Sequence, residues 1–406
     1  MANTLKFGNG LWATQEGSTL AYNDENDNYK PLPFDFTRAS NATVVNKEGL
    51  IETVGNGIPR IDFSDSEDGA LLLEPSRTNL INYSEDLTQW VQTRVTNTDN
   101  ETTSPDGSLN ASLITEDSTL NTKYTFLNLS TTTNEHTLSF FAKYKGRYLQ
   151  VLFGTSDTSG NVYINFDLQN GTFNNNGVSN PSIKDFGNGW YKISLSVTPI
   201  VTSNFGVLLS LATSLTSSRL ASYQGDGTSG VYIWGAQLEA GSYPTSYIPT
   251  SGSAVTRLVD NVADMTGLQS KSLLGVNQGT WFVDLKDMFF EITGTGVGSM
   301  FLYLDSGNQI EFVPKTNTSF KISLNNSIAL DNISGQNKIA ISYDSNGLVI
   351  YKNGVSKYTT SSSEYSSAYN ELHLSQSTRP HRININNMKL YNTRLSNSEL
   401  QALTTI

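Results

Sequence analysis

The sequence predicts an all-β protein, an irregular N-terminal module followed by two antiparallel β-sandwiches. Three observations carry this. Apolar residues alternate with polar ones over short runs, as in Leu138, Phe140, Ala142 and Tyr144, and again in Ile339, Ile341 and Tyr343. That period of two marks a strand with one buried face. Helical spacing is confined to the C-terminus. Aromatic residues reach 10% while charged ones are only 16%, so polarity comes from Asn, Ser, Thr and Gly, as in a folded chain with many turns rather than a disordered one.

Residues 1–78 are rich in Gly, Asn and Pro and read as short strands in an irregular module. Residues 79–259 read as the first sandwich, with strands expected at 138–144, 148–154, 161–168, 190–197, 205–211 and 230–238. The stretch 249–255, with Pro249 and Ser251-Gly252-Ser253, reads as a linker. Residues 272–406 read as the second sandwich. There Asp344-Ser345-Asn346-Gly347 turns the run 338–343 back into 348–351, and Asn353-Gly354 turns it again. Asn-Gly supplies the positive φ that tight hairpins need. One helix is expected, where Ser396 and Glu399 form a capping-box pattern ahead of Leu400 and Leu403. With its own meander and helix, 272–406 is expected to fold alone.

The formal net charge is −11. No basic cluster exceeds a pair, so neither nucleic acid nor an anionic membrane surface is expected as a partner. The chain has no cysteine, which excludes disulfides, thiolate metal sites and a cysteine nucleophile. The opening Met1–Gly10 stretch has no basic region followed by an apolar run, so no secretory signal is read. No window approaches the length of a membrane-spanning helix.

Three segments resemble known families. The first comprises Phe36-Thr37-Arg38-Ala39-Ser40-Asn41-Ala42-Thr43, Pro59-Arg60-Ile61-Asp62 and Leu71-Leu72-Leu73-Glu74-Pro75-Ser76-Arg77-Thr78-Asn79-Leu80. It resembles a pattern of bacteriophage tail and fibre proteins. The second, 225–257, holds Gly225-Asp226-Gly227, Trp234-Gly235-Ala236-Gln237-Leu238-Glu239 and Tyr247-Ile248-Pro249-Thr250. It is similar to the end of a carbohydrate-binding-module-like jelly roll in the same proteins. The third, 281–406, includes the hairpin 339–354 and resembles concanavalin-A-like, laminin-G-like sandwiches.

The resemblance implies a virion protein of a tail or capsid appendage, fibre-like, contacting host-cell glycans. It would assemble in the host cytoplasm and be released by lysis. Residues 1–78 open the chain with the motif-bearing module, so attachment to other virion proteins is assigned to them by elimination. Fibres of this kind are often trimers, and a homo-oligomer of three chains contacting through 1–78 is expected. The alternatives are a purely structural decoration protein without a sugar site, and a polysaccharide depolymerase.

For sugar contact the candidates are Trp190 and Tyr191, which follow the turn Gly187-Asn188-Gly189, and then Trp90. An aromatic face fits the C–H face of a pyranose. The competing reading is a tryptophan in the sandwich core, because tryptophans are mostly buried. Trp234, Trp12 and Trp281 read as packing residues, and Tyr243 and Tyr247 as pins for the connector. Carboxylates cluster at Asp24/Glu25/Asp27, Asp65/Glu67/Asp68 and Asp284/Asp287. Concanavalin-A-like glycanases carry an E-x-D-x-x-E triplet on one inner strand, and 281–406 has none, so no catalytic residue and no enzyme is expected. The acidic turn 24–28 offers oxygen ligands of the kind Ca²⁺ takes but lacks EF-hand spacing. No cofactor is expected, with a structural Ca²⁺ as the alternative. His136, His373 and His381 show no metal-ligand spacing.

Overall fold

The computed structural model describes residues 4–8, 10, 12–15, 18–23, 28–262, 265–270, 272–290, 300–304, 309–316, 319–325, 327–362, 369–374 and 381–406. The fold is all-β, in antiparallel sheets, and among the described residues the α-helix is Asn397–Thr404. Its cap is the expected one. Ser396 Oγ accepts the Glu399 N–H, and the Glu399 carboxylate accepts the Ser396 N–H.

The chain divides into two compact units. One holds 1–48, 53–76 and 258–406; the other holds 77–257 with 49–52. The first unit has a long sheet in the order Asn261–Val262, Asn28–Thr37, Ser18–Asn23, Thr4–Gly8, His381–Tyr391, Gly279–Phe290, Asn337–Asp344, Gly347–Lys352, Val355–Thr360. A second sheet runs Ser327–Ser334, Ser319–Leu324, Gln309–Thr316, Met300–Leu304, Tyr369–His373. Trp281, Val283, Ile339 and Ile341 of the long sheet share one core with Phe312, Ile322 and Leu372 of the other.

Residues 1–78 are therefore not a module apart. Thr4–Gly8 runs in register with Tyr391 back to Asn387, and Leu71–Leu73 pair with Ile385–Ile383. The reason is visible in Ala70–Leu73, whose four residues are all buried. Such a strand needs cover on both faces, which a small N-terminal module cannot supply. It follows that 272–406 expressed alone, lacking both neighbours, will show no cooperative melt. A sharp transition matching that of the full chain would refute this.

The same unit explains the N-terminal motif. Asp260 is 1% exposed. Its carboxylate accepts Arg38 Nη1 at 3.0 Å, Arg60 Nη2 and the Glu74 N–H at 2.9 Å. Arg60 Nη1 also meets Glu74 at 2.9 Å and donates to Thr43 O. Arg38 also donates from Nε to Ser40 O and from Nη2 to Gly55 O. Burial alone would lower the Arg60 pKa, but Asp260 and Glu74 outweigh it and hold the guanidinium charged.

The second unit is a sandwich of two six-stranded sheets. Sheet I runs Val91–Thr93, Tyr124–Leu129, Phe205–Ala212, Tyr148–Phe153, Tyr163–Asp167, Thr172–Asn176. Sheet II runs Val95–Thr103, Leu109–Glu116, Gly230–Ala240, His136–Lys145, Trp190–Val197, Ser179–Gly187. Alternate residues meet between them: Leu149, Val151, Ile164, Phe166, Val207 and Leu209 against Leu138, Phe140, Ile193, Leu195 and Ile233.

A bulge breaks the alternation in Gly230–Ala240. Ser139 faces Gln237 but Phe141 faces Trp234, so the latter strand carries one residue more. Gly235 sits there at φ +65°, with Phe141 and Tyr247 side chains 3.4 Å from where a Cβ would stand. Before it Val231 and Ile233 point into the core; after it Ala236 and Leu238 do. Trp234, Gln237 and Glu239 are thereby all on the outer face.

Candidate functional site

The outer face of sheet II holds a buried lock. The Tyr247 ring packs on Trp234 with centroids 4.7 Å apart. Ile248 N–H donates to Gln237 Oε1 at 2.7 Å. Thr245 donates its N–H and hydroxyl to Glu239 at 2.6 and 2.7 Å. Asn79 Nδ2 donates to Ala236 O and Ile248 O, and its Oδ1 accepts the Leu238 N–H. Arg77 lies 3.8 Å from Glu239 and over the Tyr243 ring. Burial pushes the Glu239 pKa up, against the pull of Arg77 and Thr245. Motif residues on both sides of the sandwich thus tie the connector 243–250 down, as expected of Tyr243 and Tyr247. Asp226 has a similar structural duty. Its carboxylate accepts hydroxyl and N–H donors of Thr228 and Ser229, and these bonds hold its pKa far below the usual range.

The aromatic candidates fall in the interior. Trp190 is 2% exposed, and its Nε1–H donates to Thr103 O at 3.0 Å. Trp90 is equally buried and donates to Tyr83 O at 3.3 Å. Tyr191 is half-buried, packs against the core and lies against Gly171. Neither tryptophan offers a free ring face, so the packing reading accounts for both. Trp234 and Trp281 are buried as well.

The histidines and acidic clusters are dispersed. His136 Nδ1 is 2.8 Å from Asn134 O, and burial draws its pKa down. His373 pairs with Glu371 at 3.4 Å, and His381 is buried. Asp284 is buried with its pKa raised by desolvation. Asp24, Glu25 and Asp27 lie outside the described residues, as does the Asp287 side chain. Among the described residues no three His, Asp or Glu are grouped to hold a metal ion.

Asp86 and Asp99 form a carboxyl–carboxylate pair. Burial and the bond to Asp86 raise the Asp99 pKa to about 6. Burial acts against Asp86, but bonds from Asp99, Thr88 and Gln89 outweigh it and lower its pKa. Between the ordinary carboxylate range and about pH 6 the folded form keeps a proton that the unfolded chain releases. Stability contributed by the Asp99 proton is therefore present in the acid part of that window and lost as pH rises through about 6, while the contribution of Asp86, whose pKa is lowered, is lost as pH falls below the ordinary carboxylate range. Asp99→Asn, which donates to Asp86 without a charge, is expected to raise the melting temperature near neutrality and not at the acid end of that window. Equal shifts at both ends would refute the shared proton.

The open polar-aromatic surface is the outer face of sheet I. Register places two rows of side chains across its strands. One runs Val91, Phe126, Leu208, Leu152, Tyr163, Asn176; the next runs Thr93, Tyr124, Ser210, Gln150, Asn165, Asn174. Phe126, Tyr124, Leu208 and Tyr163 are half-buried, Val91 and both edge asparagines exposed. Gln150 and Asn165 bond to each other and to carbonyls of Leu215, Ser217 and Ser218. Gln150 Oε1 also accepts the Leu220 N–H. The loop 213–222 is thereby fastened over the middle of the second row and walls one side of the first. Half-exposed rings beside side-chain amides can stack on apolar C–H surface and bond hydroxyls, the mix typical of small-ligand sites. The sequence signal was the spacing of Tyr124 and Phe126; Tyr163 joins them only through strand register.

No protein-family model matches the chain, and no curated protein matches it. Among solved structures, domain 4 of an extracellular GH43 arabinanase from Geobacillus stearothermophilus, in complex with arabinotriose, is similar. The likeness covers 40% of this chain and 83% of that one, at 18% identity and a TM-score of 0.28. Trypanosoma rangeli sialidase with the inhibitor DANA is similar over 98% of this chain and 69% of that one, at 10% identity and a TM-score of 0.27. The same sialidase with sialic acid gives 95% and 65%, at 9% identity and a TM-score of 0.26. The expectation that the chain is no enzyme does not stand beside this comparison, because the similar structures are those of an arabinanase and a sialidase. At these TM-scores the likeness assigns no activity and no site residue to this chain.

Proposed function

We propose that the chain is a structural protein of a bacteriophage tail or capsid appendage that binds host-surface glycans through the outer face of sheet I. The observation that carries the glycan part is the row of half-exposed Phe126 and Tyr163 with Asn176 at its edge. Support for the appendage part is the sequence resemblance of the Arg38–Asp62 region, 71–80 and 225–257. Trimeric assembly in a virion, with other virion proteins as partners, belongs to the same reading. A glycan array probed with the full chain tests it. Binding that is lost in a Tyr124→Ala/Phe126→Ala variant with an unchanged melt supports the reading, and no signal on any glycan refutes it. Reducing ends released from bound polysaccharide would move the function to hydrolysis, and a monomer in light scattering would remove the trimer.

A further inference from the structure

The sheet I face has an electrostatic character that narrows the ligand. No position in either row carries a charge at neutral pH. Several charged groups on the same strands and their loops are turned to internal partners, while Arg94, just past Thr93, and Lys145, ahead of Tyr148, are exposed at the margins of the sheet. The Lys123 ammonium donates to three backbone carbonyls, of Thr119, Asn121 and Tyr223. Arg147 is bidentate on Glu116, at 2.8 and 2.6 Å. Asp157 accepts the Gly206 N–H, Asp167 caps the turn at Gln169 and Asn170, and Arg219 donates to Phe153 O. The whole chain meanwhile carries −11. An acidic sugar lying along these rows would meet long-range repulsion and no cation within either row.

The row also has a length. Phe126 and Tyr163 are separated by three inter-strand steps, about 14 Å at the usual spacing of strands. The half-buried Leu208 and the buried Leu152 form the floor between them, and the loop 213–222 stands along one side. One sugar ring reaches one aromatic; a short chain laid across the strands reaches both.

We infer that the ligand of this face is an uncharged oligosaccharide lying across the strands of sheet I, held by Phe126 at one end and Tyr163 at the other. The inference rests on the glycan-binding reading above. The test uses calorimetric titration of the full chain with neutral gluco- and manno-oligosaccharides from di- to hexasaccharide, beside sialylated and galacturonate chains of equal length. Neutral chains long enough to span the row should bind about tenfold tighter than disaccharides. Their affinity should not change with salt, since no ion pair forms. Phe126→Ala and Tyr163→Ala should each cost the long chains about tenfold and bring them down to disaccharide affinity. Asn176→Lys, which places a cation at the end of the row, should add acidic binding. Acidic chains binding as well as neutral ones, affinity that falls steeply with salt, or affinity independent of length would each overturn the inference and leave glycan binding standing. Absence of binding to every saccharide on the array overturns the glycan reading itself, and this inference with it.

Discussion

Asp260→Ala is expected to cost the first unit about 3–5 kcal/mol, the loss typical when one partner of a buried ion pair is removed. The carboxylate stands between Arg38 and Arg60, all three side chains fully buried, and also accepts the Glu74 N–H. Without it Arg38 keeps its bonds to the Ser40 and Gly55 carbonyls, and Arg60 keeps Glu74 and Thr43 O. Glu74, which Arg382 also approaches at 3.5 Å, then has to balance buried guanidinium charge that Asp260 shared with it. Asp260→Asn separates charge from shape, since it keeps an acceptor oxygen and should still be strongly destabilising. Denaturant melts of both variants decide the matter. A loss under about 1 kcal/mol, the range of an exposed pair, would show that the network is solvated in solution.

Trp190→Ala is expected to lose about 3–5 kcal/mol, as for a large buried aromatic, and to bind glycan normally at temperatures where it remains folded. The indole is 2% exposed, its N–H is satisfied by Thr103 O, and the Lys143 ammonium lies 6.0 Å from the ring. Tyr163→Ala should do the opposite, with a small change in melting and a large one in binding. A Trp190→Ala protein that melts like the parent yet fails on the array would restore the tryptophan as a ligand platform.

Sequence pattern located what depends on local order. The strands Trp190–Val197 and Phe205–Ala212 lie where apolar alternation placed them, and the capping box at Ser396 opens the helix. The edge strands Thr172–Asn176 and Ser179–Gly187 were missed because most of their residues are polar, apolar ones do not alternate regularly, and little of either strand is buried. Their order comes from neighbours, not from their own pattern. The join of Thr4–Gly8 to His381–Tyr391 is non-local, and no short-range signal reports it. Arg38, Arg60, Glu74, Arg77 and Glu239 stood out in the sequence as motif residues, but Asp260, the partner of Arg38 and Arg60, did not, because a single acidic residue has no periodicity to reveal it. The sheet I face was hidden for a third reason: its rings come from separate strands, and only register sets them in a row.

The extra residue at Gly235 makes Gly230–Ala240 a strand of two parities. Counting by twos from Val231 reaches the core as far as Ile233, and counting by twos from Ala236 reaches it again, but neither count works for the whole strand. Forcing Gly235 into the regular ladder, as a residue unable to hold its φ of +65° would, does more than tighten a bend. It would exchange inside for outside along the C-terminal half, turning Leu238 toward solvent and driving Gln237 and Glu239 into the sandwich. One residue with no side chain thus sets the facing of the five that follow it, while every amino acid that the lock needs would still be present in the chain.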